Sequence, residues 1–186
     1  MKDENSLVKK MMDNLIEENL IEPFIIVTPN GRSSKNFKDI SFENHQTFYQ
    51  FGKELRNDLI PFVESKYSVY SDRENRAVAG LSMGGTGTWM LAMADAERFA
   101  AIAPICGSGI YWFGESLTEV PIMVYHGDCD DVVPIENSME MIKSVNRRGG
   151  NAKIKVLNGV WHNAWDYAYD GDELYTWLLS HKRAKK

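Results

Sequence analysis

Short, continuous apolar runs alternate with segments of helical periodicity along most of the chain. The apolar runs cover residues 24–28, 76–80, 100–105, 121–126 and 153–157. Apolar residues at helical spacing predict helices over residues 6–19, 43–64, 88–99, 135–148 and 172–181. Strands that are apolar throughout are typical of a parallel sheet covered by helices on both faces. The pattern therefore predicts a doubly wound, mostly parallel α/β fold with about five strands.

Composition narrows the class of protein without changing this picture. The chain has 186 residues, of which 44% are hydrophobic and 25% charged, and no linker or repeat interrupts it. We therefore expect a single α/β domain over residues 1–186. The net charge of −5 argues against a nucleic-acid partner. No apolar run approaches the ~18 residues that a membrane span requires, and the N-terminal residues as written predict a cytoplasmic protein.

Candidate chemistry begins where the second apolar run ends, in the sequence Gly80-Leu81-Ser82-Met83-Gly84. A Gly-x-Ser-x-Gly sequence between a strand and a helix is typical of a nucleophile elbow, in which the serine sits on a strained turn. We expect Gly80 and Gly84 at points where strand and helix pass too closely for side chains. The alternative interpretation is a flexible glycine turn that contains a serine.

Two later strand ends also carry reactive side chains. The run 121–126 leads into His126-Gly127-Asp128-Cys129-Asp130-Asp131-Val132-Val133-Pro134, and the run 153–157 is followed by Gly159-Val160-Trp161-His162-Asn163. Ligand and catalytic groups gather at the carboxyl ends of parallel strands. The chain order serine, aspartate, histidine is that of the α/β-hydrolase triad.

The residue types fit nucleophilic catalysis. Ser82 would attack, His162 would act as general base, and an aspartate would orient the imidazole. The Met83 amide, at the helix N-terminus, is the expected oxyanion donor. Spacing alone leaves Asp128, Asp130 and Asp131 as alternatives for the acid.

The other three histidines are weaker candidates for the base. His181 lies in the tail, and His45 is expected at the surface beside a loop. His126 ends a strand directly before a glycine and is expected to be structural. Cys106 and Cys129 show no metal-ligand spacing and are expected to be buried, reduced thiols.

With these motifs in view, the chain resembles the α/β-hydrolase esterases. Residues 57–76 and 79–85 are similar to feruloyl and acetylxylan esterases, whereas residues 126–134 and 161–177 are similar to small carboxylesterases, acyl thioesterases and peptidases of the same superfamily. The resemblance implies that Asp130 is the acid, with Asp131 as the alternative, and that His162 is the base. It implies a serine carboxylesterase that needs no cofactor or metal and acts on a small or polysaccharide-linked ester, including feruloyl and acetyl esters.

The resemblance also indicates an N-terminally shortened fold. Relatives carry a strand and a His-Gly-type loop before the first helix, and that loop supplies a second oxyanion donor. Without the strand, either its two neighbours pair directly, or open edges favour association into a homo-oligomer. If the chain derives from a longer precursor, the expected location changes from cytoplasmic to secreted.

Aromatic residues near two strand ends suggest a substrate pocket. Trp112, Phe113 and Trp161 are expected to wall an apolar or aromatic acyl site, whereas Trp89 and Trp165 are expected to serve packing. Two alternative functions stay open: a peptidase or thioesterase with the same triad, and a catalytically silent α/β scaffold used for binding.

Overall fold

The computed structural model describes residues 7–31, 34, 36, 38, 39, 41, 44 and 47–183. The chain forms two compact units, one from residues 1–24 and 73–186 and the other from residues 25–72. The single domain expected over residues 1–186 stays a prediction. His45 lies outside the described residues.

Helices and strands alternate from residue 77 onwards. In chain order the elements are α1 (Leu7–Glu17), α2 (Phe51–Glu54), α3 (Ile60–Lys66), β1 (Ala77–Leu81), α4 (Met83–Ala94), β2 (Ala101–Ile105), β3 (Ile122–Gly127), α5 (Ile135–Arg147), β4 (Ala152–Leu157), α6 (Trp165–Ala168) and α7 (Glu173–Leu179). Short 3₁₀ segments cover Thr47–Gln50, Arg73–Asn75, Ala96–Arg98 and Tyr111–Leu117, and a π-helical turn covers Leu55–Leu59.

The four described strands form one parallel sheet in the order β1-β2-β3-β4. In this register Leu81 pairs with Ile105, and Gly127 pairs with Leu157. The strand ends that precede the candidate catalytic loops therefore meet at one edge of the sheet. This topology confirms the predicted parallel α/β architecture.

Successive side chains of each strand point to opposite faces of the sheet, and helices cover both faces. On one face, Ala103, Ile105 and Tyr125 pack in a buried cluster with Ala168 and with Leu174 of α7. The other face carries α4 and α5, which pack against β1 and β2 and against β3 and β4, respectively. β2 is buried along its whole length, as its uninterrupted apolar run predicted.

The first helix is the amphipathic one that the sequence predicted. Met12 and Leu15 of α1 are buried in a cluster with Ile21 and with Tyr175 of α7. The methionines therefore fill the core, as expected. Among the described residues, no helix has both the length and the apolar character that crossing a membrane would require.

The prediction of a fifth strand over residues 24–28 was wrong. These residues form no strand, and Ile25, Ile26 and Val27 expose 43%, 43% and 42% of their surface. A strand persists only when its backbone pairs with a neighbour, and apolar composition does not supply that partner. Within the described residues, β1 pairs with β2 alone.

Two helix boundaries also differ from the prediction. α4 begins at Met83, directly after the serine, and not at residue 88. Glycines at residues 84, 85 and 87 hide helical periodicity in its first turns, since glycine has a low helix propensity. The helix predicted over residues 43–64 is divided into short segments, of which the last, α3, begins at Ile60. Pro61 lies in the first turn of α3, where the missing N–H costs little.

Candidate active site

The turn between β1 and α4 holds Ser82 in a strained backbone conformation. Its φ of 52° and ψ of −118° lie outside the regions that non-glycine residues favour. The Ser82 N–H donates to the carbonyl of Ile105, at 2.9 Å, and the Ser82 carbonyl accepts the Thr86 N–H, at 3.0 Å. Bonds on both sides therefore hold the strain, which is typical of residues at functional sites.

Close packing of strand and helix explains one of the two elbow glycines. A Cβ on Gly80 would overlap the Gly84 carbonyl and lie 2.9 Å from Thr88 Oγ1. The expectation for Gly84 was wrong, because a Cβ there would meet nothing within 4 Å. The crowded position is on the strand, and it is the backbone of Gly84 that crowds it.

Three side chains from separate strand ends form one chain of hydrogen bonds. His162 Nε2 lies 2.7 Å from Ser82 Oγ, and His162 Nδ1 lies 2.8 Å and 3.0 Å from the two carboxylate oxygens of Asp130. An ionised carboxylate only accepts, so Nδ1 carries the proton of the neutral ring. Nε2 is then the acceptor for the Ser82 hydroxyl, which is the arrangement that a general base requires.

The Asp130 side chain is buried and accepts several hydrogen bonds. Its side chain has no exposed surface, and Oδ1 accepts the N–H groups of Val132, at 3.0 Å, and Val133, at 2.8 Å. Burial raises the pKa of this carboxyl group, but the hydrogen bonds from His162, Val133 and Val132 outweigh it, so the pKa lies below its ordinary value. The carboxylate therefore stays ionised at neutral pH.

The two other aspartates of this loop lie in different surroundings. Asp131 is exposed. Asp128 accepts the Gly159 N–H at 2.6 Å, and the neighbouring Cys129 N–H donates to Val160 O at 3.0 Å. Asp128 thus ties the loop after β3 to the loop that carries His162.

A glycine at the end of β3 allows these two loops to pack together. A Cβ on Gly127 would overlap the carbonyl oxygen of Val160. The absence of a side chain lets the segment before His162 approach the strand end. This contact contributes to the placement of the imidazole.

His126, which the sequence predicts to be structural, lies against Asp130. Its ring is fully buried, with Nδ1 2.8 Å from Ser138 Oγ and Nε2 2.8 Å from the Val133 carbonyl. The same Nε2 lies 3.1 Å from Asp130 Oδ2. The spacing of four residues between His126 and Asp130 was the available signal, but spacing does not reveal that a loop folds back on itself.

The aromatic candidates lie in two different settings. The ring of Trp165 meets the imidazole of His162 edge-on at 5.5 Å between centroids, so this residue contacts the site as well as the core. Trp161, Trp112 and Phe113 expose 57%, 62% and 52% of their surface. The last two lie in a 3₁₀ segment, not in an irregular loop. Their role in substrate binding stays a prediction.

The Met83 amide is available as a donor by its position. Met83 is the first residue of the 12-residue helix α4, so its N–H has no carbonyl one turn earlier with which to pair. The helix dipole adds partial positive charge at this end. Its role in holding an oxyanion stays a prediction.

Cys106, Asp130 and His162 together offer ligand atoms that lie within 4.8 Å of one another. This donor set would suit a metal such as zinc. Burial raises the pKa of the Cys106 thiol to about 11, so without a bound ion the sulfur is protonated at neutral pH. The expectation that the site works without a metal stays a prediction. Cys129 is exposed, which contradicts the expectation of a buried thiol.

Comparison with known proteins supports the fold and the family. Residues 2–118 match the family model described as "Putative esterase", and residues 108–181 match the prolyl oligopeptidase family. The chain is 36% identical over 121 residues to endo-1,4-beta-xylanase Y of Acetivibrio thermocellus, covering 59% of this chain and 10% of that protein. It is 31% identical over 152 residues to the endo-1,4-beta-xylanase/feruloyl esterase of Xylanibacter ruminicola, covering 82% of this chain and 20% of the relative.

Solved structures share the fold. A thermostable esterase is 32% identical with a TM-score of 0.63, covering 83% of this chain and 42% of that one. A ferulic acid esterase from the anaerobic fungus Anaeromyces mucronatus reaches a TM-score of 0.73 at 19% identity, covering 90% and 68% of the two chains. The matched region of this chain spans only a fifth or less of the length of each of the two xylanase relatives named above. Through the match over residues 2–118 and the parallel α/β fold, the chain belongs to the esterase family of the α/β-hydrolases.

Proposed function

We propose that this chain is a serine carboxylesterase that hydrolyses carboxylic esters through an acyl-enzyme. The observation that carries the proposal is the continuous hydrogen-bonded chain from Ser82 through His162 to Asp130. Family membership supports the same reaction class.

In the first half-reaction, Ser82 Oγ attacks the ester carbonyl carbon while His162 Nε2 takes the hydroxyl proton. The carbonyl electrons move onto oxygen and form a tetrahedral oxyanion. The oxyanion then collapses, the bond to the alcohol breaks, and His162 gives its proton to the leaving alcohol. An acyl group remains on Ser82.

In the second half-reaction, water takes the place of the alcohol. His162 Nε2 accepts a proton from this water as its oxygen attacks the acyl carbon, and the same proton returns to Ser82 Oγ when the acyl–serine bond breaks. The carboxylic acid leaves and the serine is restored. Asp130 stays ionised throughout and stabilises the imidazolium formed in each half.

Oxyanion stabilisation sets the rate of such an enzyme. The Met83 N–H would supply one donor from the N-terminus of α4. The resemblance implies that relatives hold a second donor in a loop before their first helix. Loss of one donor typically costs about 10²–10³-fold in rate.

The substrates we propose are feruloyl or acetyl esters, either small or linked to plant cell-wall polysaccharide. Relatives named xylanase and feruloyl esterase support this class. Trp161, Trp112 and Phe113 would wall an aromatic acyl site, and no cofactor is needed. A polysaccharide-linked ester would be met by a secreted enzyme, whereas a small diffusible ester could be hydrolysed in either location.

A second candidate is a peptidase, because residues 108–181 match the prolyl oligopeptidase family. That segment contains Asp130 and His162 but not Ser82. An amine is a poorer leaving group than an alcohol and needs more complete protonation in the transition state. The same three side chains could serve either reaction, so substrate preference is what would distinguish an esterase from a peptidase.

Turnover of methyl ferulate, p-nitrophenyl acetate, an acyl thioester and a peptide anilide by the purified chain tests the proposal. We expect the two oxygen esters to be hydrolysed at least tenfold faster, in kcat/KM, than the anilide. Preference for the anilide would favour the peptidase. Absence of turnover on all four would favour the silent scaffold.

A further inference from the structure

The buried imidazole of His126 has hydrogen-bonding partners on both of its nitrogens. His126 lies next to the end of β3, and its ring is on the face of the sheet that carries α5. The ring has no exposed surface. Nδ1 lies 2.8 Å from the hydroxyl of Ser138, a residue of α5. Nε2 lies 2.8 Å from the carbonyl of Val133.

These partners fix the position of the ring protons. A carbonyl only accepts hydrogen bonds, so Nε2 must carry a proton. In the neutral ring, Nδ1 then accepts from the Ser138 hydroxyl. The Ser138 hydroxyl has one proton and two possible acceptors. His126 Nδ1, at 2.8 Å, is closer than the Gly107 carbonyl oxygen, at 3.3 Å, and is therefore the better acceptor.

The Nε2–H group also faces the acid of the candidate active site. Asp130 Oδ2 lies 3.1 Å from this nitrogen, and both side chains are fully buried. The hydrogen-bond donors to the carboxylate are His162 Nδ1 and the N–H groups of Val132 and Val133. The His126 Nε2–H group donates to the Val133 carbonyl and lies beside Asp130 Oδ2 without a hydrogen bond to it.

His126 holds the turn that carries Asp130. Asp130 Oδ1 accepts the Val133 N–H at 2.8 Å, while the Val133 carbonyl accepts from His126. The turn from Asp130 to Val133 is therefore bonded at both ends, and its anchor is a side chain of β3. A buried carboxylate without such anchors would be free to rotate away from His162.

We propose that His126 is a positioning residue for catalysis, which holds the turn from Asp130 to Val133 through the Val133 carbonyl and so keeps the Asp130 carboxylate against His162. This inference rests on the proposed esterase function, since it assigns His126 to the same triad. The hydrogen bonds of the ring go to Ser138 and Val133, so it acts on the site through the turn that carries Asp130.

Two substitutions separate positioning from simple packing. In His126→Asn, the shorter amide occupies the place of Nδ1, near Ser138, and cannot reach the Val133 carbonyl. In His126→Gln, the longer amide places an N–H where Nε2 lies. Both variants keep a polar side chain in the same buried space, so each is the control for the other.

We expect His126→Asn to lower kcat by about tenfold or more with KM within twofold, the size expected when a buried carbonyl is left without its hydrogen bond. His126→Gln, whose amide can donate to the Val133 carbonyl, should retain kcat within about threefold. Circular dichroism and thermal melting would verify folding. An Asn variant that folds and turns over like the wild type, or equal losses in the two variants, would overturn the proposal.

A measurement on the unsubstituted protein tests the same inference without turnover or mutation. Nitrogen-15 NMR of labelled histidines reports which ring nitrogen carries the proton. We expect the His126 Nε2 to be protonated, and an unprotonated Nε2 would overturn the proposal. If the wild type hydrolysed no ester, the proposed function would fail, while the tautomer would still decide whether His126 donates to the Val133 carbonyl and so holds the turn that carries Asp130.

Discussion

Replacing Ser82 with alanine is expected to lower kcat for methyl ferulate by about 10⁶-fold, the loss seen when a triad nucleophile is removed. The substitution deletes the Oγ atom that lies 2.7 Å from His162 Nε2. It leaves a small side chain at a strained position of the elbow. Without the hydroxyl no acyl-enzyme forms, and only weak activation of water by the remaining groups survives.

Ser180→Ala is the matched control for this experiment. Ser180 follows α7 at an exposed position, and its hydroxyl donates to the Trp177 carbonyl. Its removal should leave kcat/KM within twofold of the wild type. If Ser82→Ala retained the wild-type rate, the ester cleavage would arise elsewhere and the silent scaffold would be the better interpretation.

The second large effect concerns the acid. Asp130→Asn is expected to lower kcat by about 10⁴-fold. An asparagine amide can donate to His162 Nδ1, which leaves the proton on Nε2, where the ring can no longer accept from Ser82. The N–H groups of Val132 and Val133 would still find an oxygen at residue 130, so the loop should keep its fold.

Asp131→Asn separates the two assignments of the acid. Asp131 is the next residue but is exposed, whereas the Asp130 side chain is fully buried against His162. We expect kcat/KM of this variant to stay within twofold of the wild type in the same ester assay. A large loss in Asp131→Asn with an active Asp130→Asn would reverse the assignment.

The architecture and the three strand-end motifs could be predicted from the sequence because their signals are local. β2 is one uninterrupted apolar run, and such a run is stable only when both faces are covered. The elbow could be predicted for a similar reason, since the backbone of Gly84 leaves no room for a side chain at Gly80. These constraints act between residues a few positions apart.

The rest depends on contacts that sequence patterns do not encode. Residues 24–28 have strand-like composition, but strand formation needs a paired backbone. His126 and Trp165 were assigned to structure and packing, because nothing in their neighbours along the chain shows that one lies 3.1 Å from Asp130 and the other edge-on to His162. The choice of Asp130 among three aspartates came from resemblance and not from spacing.

The central claim is that Ser82 is a hydroxyl made nucleophilic by His162. A fluorophosphonate tests it directly, since an activated serine oxygen attacks phosphorus, displaces fluoride and keeps the phosphonate. We predict that, in the folded chain, the label maps to Ser82 and is lost in His162→Ala. A folded chain that takes no label, or takes it at another residue, would contradict the account.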